Sequence, residues 1–231
     1  MAKKKVVFFD LGDTLASTDP PFIHRIALSM RNAGYGISDK ELEEAYVAAD
    51  YELYLKHKME GGINPEQHRV WFLPLLYGAI SPPGDIDVFR SRVREEMSGL
   101  TFTRAALPGA VELLERLKDE GYALAVISNN DGNTIEKCEE VGIKDYFEHI
   151  FDSTILGLIK PDPRIFEYAA AKCGVSPSEA VHVGDMFGSD VMGGRDAGLD
   201  VIWFNARKAA KPDGAKVKEA GSLAEVADLI G

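Results

Sequence analysis

Val6-Val7-Phe8-Phe9-Asp10-Leu11-Gly12-Asp13-Thr14-Leu15 joins four consecutive apolar residues to a run dominated by short and polar ones. A continuous apolar run stopped by a carboxylate and a glycine is the pattern of a strand covered on both faces of a parallel sheet. Further runs of the same kind lie at 123–127, 149–151, 180–183 and 201–204. Helical patterns alternate with them. Val111, Leu113, Leu114 and Leu117 form one apolar stripe, with Gly121 placed to end the helix. Ile165, Phe166 and Ala169 form another, which stops near Gly174. The alternation predicts an α/β fold, a doubly wound parallel Rossmann-like sheet.

One stretch interrupts it. From Thr18 to Arg104 the sequence carries helical patterns and no convincing strand. Asp39 is a plausible N-cap for a helix bearing Leu42, Ala45, Tyr46, Ala49 and Leu53, and Pro65 opens another with Val70, Phe72 and Leu73. Pro82, Pro83 and Gly84 punctuate the stretch, and Pro108 with Gly109 marks the return to the core. The expected organisation is a core made of residues 1–17 and 105–231, with an all-helical domain, 18–104, inserted after the first strand. The lysine-bearing tail at 206–221 reads as a solvated loop.

Composition narrows the function classes. The chain has 231 residues and a formal net charge of −11. A surface this acidic repels a phosphate backbone, which argues against a nucleic-acid or anionic-membrane partner but not against a small phosphorylated one held in a local cationic pocket. Cys138 and Cys173 are the only cysteines, a usage that suits a reducing compartment. Lysines 3–5 resemble the start of an export signal, but the apolar run after them stops at Asp10. The expectation is a cytoplasmic protein without a membrane segment; oligomeric state is not legible.

Ligands of open parallel sheets bind just past the carboxyl ends of the strands. There the sequence places Asp10, then Ser128-Asn129-Asn130, then Gly184-Asp185 with Asp190 beyond, and Lys160 before Pro161 after the third run. Carboxylates, a hydroxyl and an ammonium on one rim make a set suited to Mg²⁺ and phosphate together.

In order and spacing these four segments resemble the motifs of the haloacid dehalogenase-like hydrolase superfamily, over almost the whole chain. The helical insertion matches the cap that the family places between its first and second motifs. The resemblance implies a Mg²⁺-dependent phosphatase acting on a small phosphomonoester, such as a sugar or organic-acid phosphate. Asp10 would be the nucleophile and a metal ligand. The Gly12 carbonyl and Asp185 would complete the metal site, and Asp190 would orient it. Ser128 and the Asn129 amide would hold phosphate oxygens, and Lys160 would neutralise charge between Asp10 and the phosphate.

One position departs from the family pattern. Phosphatases of the family usually carry an aspartate two residues after the nucleophile as general acid/base, and here that residue is Gly12, with Asp13 next to it. Either Asp13 or a cap residue replaces the missing acid, or the chain is a catalytically weak binding or regulatory protein. A metal-independent 2-haloacid dehalogenase is a further alternative, although it would gain nothing from a cation-binding carboxylate at Asp185. Of the remaining candidates, His182 reads as a packed core histidine. Tyr51, Tyr54, Lys56, His57 and Lys58 read as a mixed core and solvent face, or more sharply as groups aimed at the leaving group. Trp71, Phe72 and Tyr77 read as cap core. The glycines at 188–194 lack the order of a P-loop.

Overall fold

The computed structural model describes residues 4–82, 84–212 and 215–230; Lys3 and Pro83 lie outside the described residues. The chain runs β1 (Val6–Phe9), β2 (Ala16–Asp19), α1 (Phe22–Asn32), α2 (Asp39–Glu60), α3 (Pro65–Ile80), α4 (Ile86–Ser98), β3 (Thr103–Ala106), α5 (Ala110–Asp119), β4 (Ala123–Ser128) and α6 (Thr134–Glu140). It continues through β5 (His149–Asp152), α7 (Ser153–Leu156), α8 (Pro163–Lys172), β6 (Ala180–Gly184), α9 (Gly193–Asp196), β7 (Asp200–Phe204), β8 (Lys218–Ala220) and α10 (Leu223–Ile230).

Six strands form one parallel sheet in the order β5-β4-β1-β6-β7-β8. β1 is central, with Phe8 opposite Ala125 on one side and His182 on the other. Alternate β1 residues feed two apolar layers, because successive side chains of a strand point to opposite faces. Val7 and Phe9 pack with Leu113, Leu114 and Leu117 of α5 and Val226 of α10. Val6 and Phe8 pack with Ile165, Phe166 and Ala169 of α8. The chain leaves β1 toward β4 on one side and β6 on the other, so the topological switch point lies at the end of β1, beside Asp10.

Between β2 and β3 the chain folds into four helices around Ala27, Met30, Leu42, Leu76, Phe89 and Val93. The N-cap of α2 is Ser38, not Asp39: Ser38 and Glu41 form a reciprocal capping box, and Asp39 is the first helical residue. β2 and β3 pair antiparallel, with Thr18 opposite Arg104. This two-stranded ribbon corrects the reading of the inserted region as free of strands at its edges. The tail is corrected likewise, because β8 adds a parallel edge strand beside β7 and buries Ala220.

The helical region is fastened to the sheet along α2. Asp50, buried, accepts hydrogen bonds from the backbone amides of Gly188 and Ser189 and from the Ser189 hydroxyl. A Cβ at Gly188 would overlap the Asp50 backbone, so glycine there is what allows the helix to come this close. Further along α2, Tyr51 packs edge-on against Phe187, and Tyr54 and Lys58 both donate to Asp196. His57 stands 3.6 Å from Asp162, and Lys56 lies over the Trp71 ring. These five α2 residues dock the helix or shield it. The sharper expectation, that some of them face the leaving group, fails because none of them lines the cavity described next.

Candidate active site

A cavity of about 560 Å³ opens between the carboxyl end of the sheet and the helical region. Asp10, Gly12, Ser128, Asn129, Lys160, Asp185 and Asp190 all line it, so the fold brings together the seven residues of the metal and phosphate set, while the five α2 candidates stay outside. They come from the ends of β1, β4 and β6 and the loop before α8.

Lys160 is the centre of this arrangement. Its side chain is 2% exposed. Its ammonium donates to Asp10 Oδ1 at 2.7 Å, to Asp190 Oδ1 at 2.7 Å and to the Ile127 carbonyl at 2.8 Å. Three protons thus meet three acceptors. Burial alone would lower the Lys160 pKa, but Asp10 and Asp190 outweigh it and hold the ammonium charged. Asn129 contributes through its side chain: its amide nitrogen donates to the Lys160 carbonyl and its oxygen accepts from the Lys160 amide, which fixes the lysine's backbone.

Asp190 has both oxygens engaged. Oδ1 meets Lys160 and His182 Nε2, and Oδ2 accepts from the Met186 amide. A Cβ at Gly184 would collide with this carboxyl, which explains a glycine at the end of β6. His182 is buried in β6 as expected, but it is also the partner that orients Asp190.

Asp10, Asp185 and Asp190 each offer an oxygen within 4.8 Å of the others. Burial pushes the Asp10 carboxyl up to about 6; Lys160 offsets part of that rise and Asp190 adds to it. Burial likewise raises Asp185 well above the ordinary carboxylate range, against the pull of Arg207. Buried negative charge is therefore in excess at this point. Hard oxygen donors with excess charge are the chemistry that a divalent cation satisfies, so the donor set fits Mg²⁺.

Asp13 also lines the cavity, in a left-handed backbone conformation (φ 54°). Its carboxylate accepts from Ser17 and faces Arg207 at 3.4 Å. Arg207 went unnoticed in the sequence because it sits in the lysine-bearing tail. It bridges Asp185 at 2.8 Å to Glu43 of α2 at 3.2 Å and so ties the sheet to the helical region. The cavity's other wall comes from the helical region and the ribbon: Phe22, Arg25, Tyr46, His68, Phe72 and Phe102. Burial, followed by the nearby charges of Arg69 and His57, lowers the His68 pKa to about 4. Tyr46 is held as a neutral phenol by burial and by Asp50 and Asp185. Phe72, expected in the cap core, does both jobs, packing on Tyr46 and facing the cavity.

A family model for haloacid dehalogenase-like hydrolase matches residues 4–198. The chain belongs to the haloacid dehalogenase-like hydrolases. A glyceraldehyde 3-phosphate phosphatase of Pyrococcus furiosus is 33% identical over 217 residues, covering 92% of this hydrolase and 85% of that protein. Among solved structures, a predicted phosphoglycolate phosphatase from Haemophilus somnus matches all of both chains with a TM-score of 0.66 at 22% identity. An L-2-haloacid dehalogenase matches 99% of both with a TM-score of 0.67 at 17% identity. Backbones this alike carry phosphatase and dehalogenase names, so the fold of this hydrolase does not separate the two reactions and the site must. Among the described residues no helix is long and apolar enough to cross a membrane.

Proposed function

We propose that this hydrolase is a Mg²⁺-dependent phosphomonoesterase for a small phosphorylated metabolite, with residues 18–104 as a cap over a core of 1–17 and 105–231. The convergence of Asp185 with Asp10 carries this reading. Attack on carbon needs one carboxylate and no cation, whereas a second buried carboxylate is explained by a cation that must be held. Relatives named as phosphatases support the same choice.

Asp10 Oδ1 is held by Lys160, which leaves the other oxygen to attack phosphorus. The attack transfers the phosphoryl group to Asp10 and releases the alcohol, and water then cleaves the acyl phosphate. Mg²⁺, held by Asp10, Asp185 and the Gly12 carbonyl, would screen the phosphate so that a carboxylate can approach it. Asp190 fixes Lys160, and with both oxygens taken it serves the cation site from behind. Ser128, buried at the end of β4, would hold a phosphate oxygen through its hydroxyl, together with the Asn129 amide. Asp13 is the proton-transfer candidate nearest the departure at Gly12.

Hydrolysis of p-nitrophenyl phosphate, measured with Mg²⁺ and with chelator, tests this reading. Turnover should require the cation and vanish in Asp10→Asn. Turnover of 2-haloacids in chelator would instead select the dehalogenase, and neither activity would leave a binding protein.

A further inference from the structure

Five cationic side chains line the cavity, and four of them have partners. Lys160 meets Asp10 and Asp190, Arg207 meets Asp185 and Glu43, Lys137 meets Asp131, and Arg104 meets Glu140. Arg25 of α1 is the exception: among the described residues it has no acidic partner. It is only 6% exposed. Its Nη2 donates to Thr18 Oγ1 at 3.2 Å, and its guanidinium lies 3.9 Å from the centroid of the Phe102 ring. Its Nε is buried without any hydrogen-bond partner.

A buried guanidinium with an unmet N–H and no counter-charge is costly. The Phe102 ring offsets part of that cost, but a ring face below the guanidinium does not accept from the N–H groups in its plane. The cavity's own carboxylates cannot serve, since Asp10, Asp13, Asp50, Asp185 and Asp190 are all engaged elsewhere. Arg104 stands opposite Thr18 on the ribbon, and burial together with the Arg104 charge lowers the Arg25 pKa. A second anion arriving here would relieve both the repulsion and the unmet donor.

We propose that Arg25 binds a second anionic group of the substrate, at the ribbon end of the cavity that holds Asp10 and Lys160 at its sheet end. The substrate class is then a small phosphomonoester bearing a carboxylate or a second phosphate on its far end, with Phe22 and Phe102 flanking that group. The proposal rests on the phosphatase reading and sharpens it.

The test compares three-carbon phosphates that differ only at the far end: 3-phosphooxypropanoate, 1,3-propanediol bisphosphate and 3-hydroxypropyl phosphate. In the unaltered hydrolase kcat/KM should favour one or both anionic substrates over the neutral one. Which of the two is preferred separates carboxylate from phosphate. In Arg25→Gln that preference ratio should fall about 10- to 100-fold, chiefly through KM, as expected for a charge-assisted bond. Arg25→Lys keeps the charge but loses the planar fork. It should retain part of the preference, and it carries the test should Arg25→Gln not fold. No preference in the unaltered hydrolase, or a ratio unmoved by both variants, overturns the proposal while leaving the phosphatase reading intact. Failure to turn over p-nitrophenyl phosphate as well as all three would be a failure of that reading. Calorimetric titration of the two substrates with a second anionic group into Asp10→Asn, with and without Arg25→Gln, tests the site even without turnover: equal affinity in the two backgrounds for both overturns it.

Discussion

Lys160 Nζ sits 2.7 Å from Asp10 Oδ1 in a pocket that water barely reaches. The pair joins the end of β1 to the loop before α8, and Asp190 anchors the same ammonium from the helical turn that follows β6. Removing the cation strands two buried carboxylates. Lys160→Met should therefore lose about 3–5 kcal/mol of stability in urea unfolding at neutral pH, along with nearly all turnover. A loss below about 1 kcal/mol would place the cation outside the network that holds the site together.

Gly12 has nothing within 4 Å of where a Cβ would sit, so the loop has room for a longer side chain. Gly12→Asp should restore a proton donor beside the leaving group. General acid help is worth about 10²–10⁴-fold, and the gain should appear on alkyl phosphates, whose leaving groups need the proton, more than on p-nitrophenyl phosphate. Rates unchanged from the unaltered hydrolase on both substrates would mean that Asp13 or a residue of the helical region already does this work.

Arg207 holds Asp185 at 2.8 Å and competes with any cation for that carboxylate. Deleting its charge should tighten cation binding: in Arg207→Leu the Mg²⁺ concentration giving half-maximal activity should drop by about 3- to 10-fold, the effect of roughly 1 kcal/mol. An unchanged or higher Mg²⁺ requirement would show that Arg207 supports the cation site rather than opposing it.

Asp50 satisfies two backbone amides and a hydroxyl where α2 meets the sheet domain. Asp50→Ala leaves those donors buried and unmet, which should cost about 2–3 kcal/mol in denaturant unfolding. Because α2 also carries Tyr46 to the cavity, KM should rise more than kcat falls. A stable variant with normal KM would mean that the helical region is positioned by other contacts.

Five of the six sheet strands were legible because a parallel sheet covered on both faces demands continuous apolar runs, and β1, β4 and β6 have them. The residues at their ends were legible because the fold fixes where a ligand can sit. β2 and β3 were not, since Ala-Ser-Thr-Asp and Thr-Arg-Ala-Ala bury little and become strands only by pairing with each other. β8 hid for the same reason, as Lys-Glu-Ala beside one long edge. Arg25 and Arg207 were invisible for a different one. Their significance lies in which charges surround them, and helical periodicity or a lysine-bearing tail says nothing about partners far away in sequence.

The reading of Asp10 as a nucleophile rather than a mere metal ligand is open to direct observation. The hydrolase, mixed with p-nitrophenyl phosphate and Mg²⁺ and quenched in acid during turnover, can be digested and weighed by mass spectrometry. One phosphoryl group on the peptide carrying Asp10, absent in Asp10→Asn and lost on mild base treatment, is the expected result. Steady turnover with that peptide never modified, or with the phosphoryl group on another residue, would contradict it.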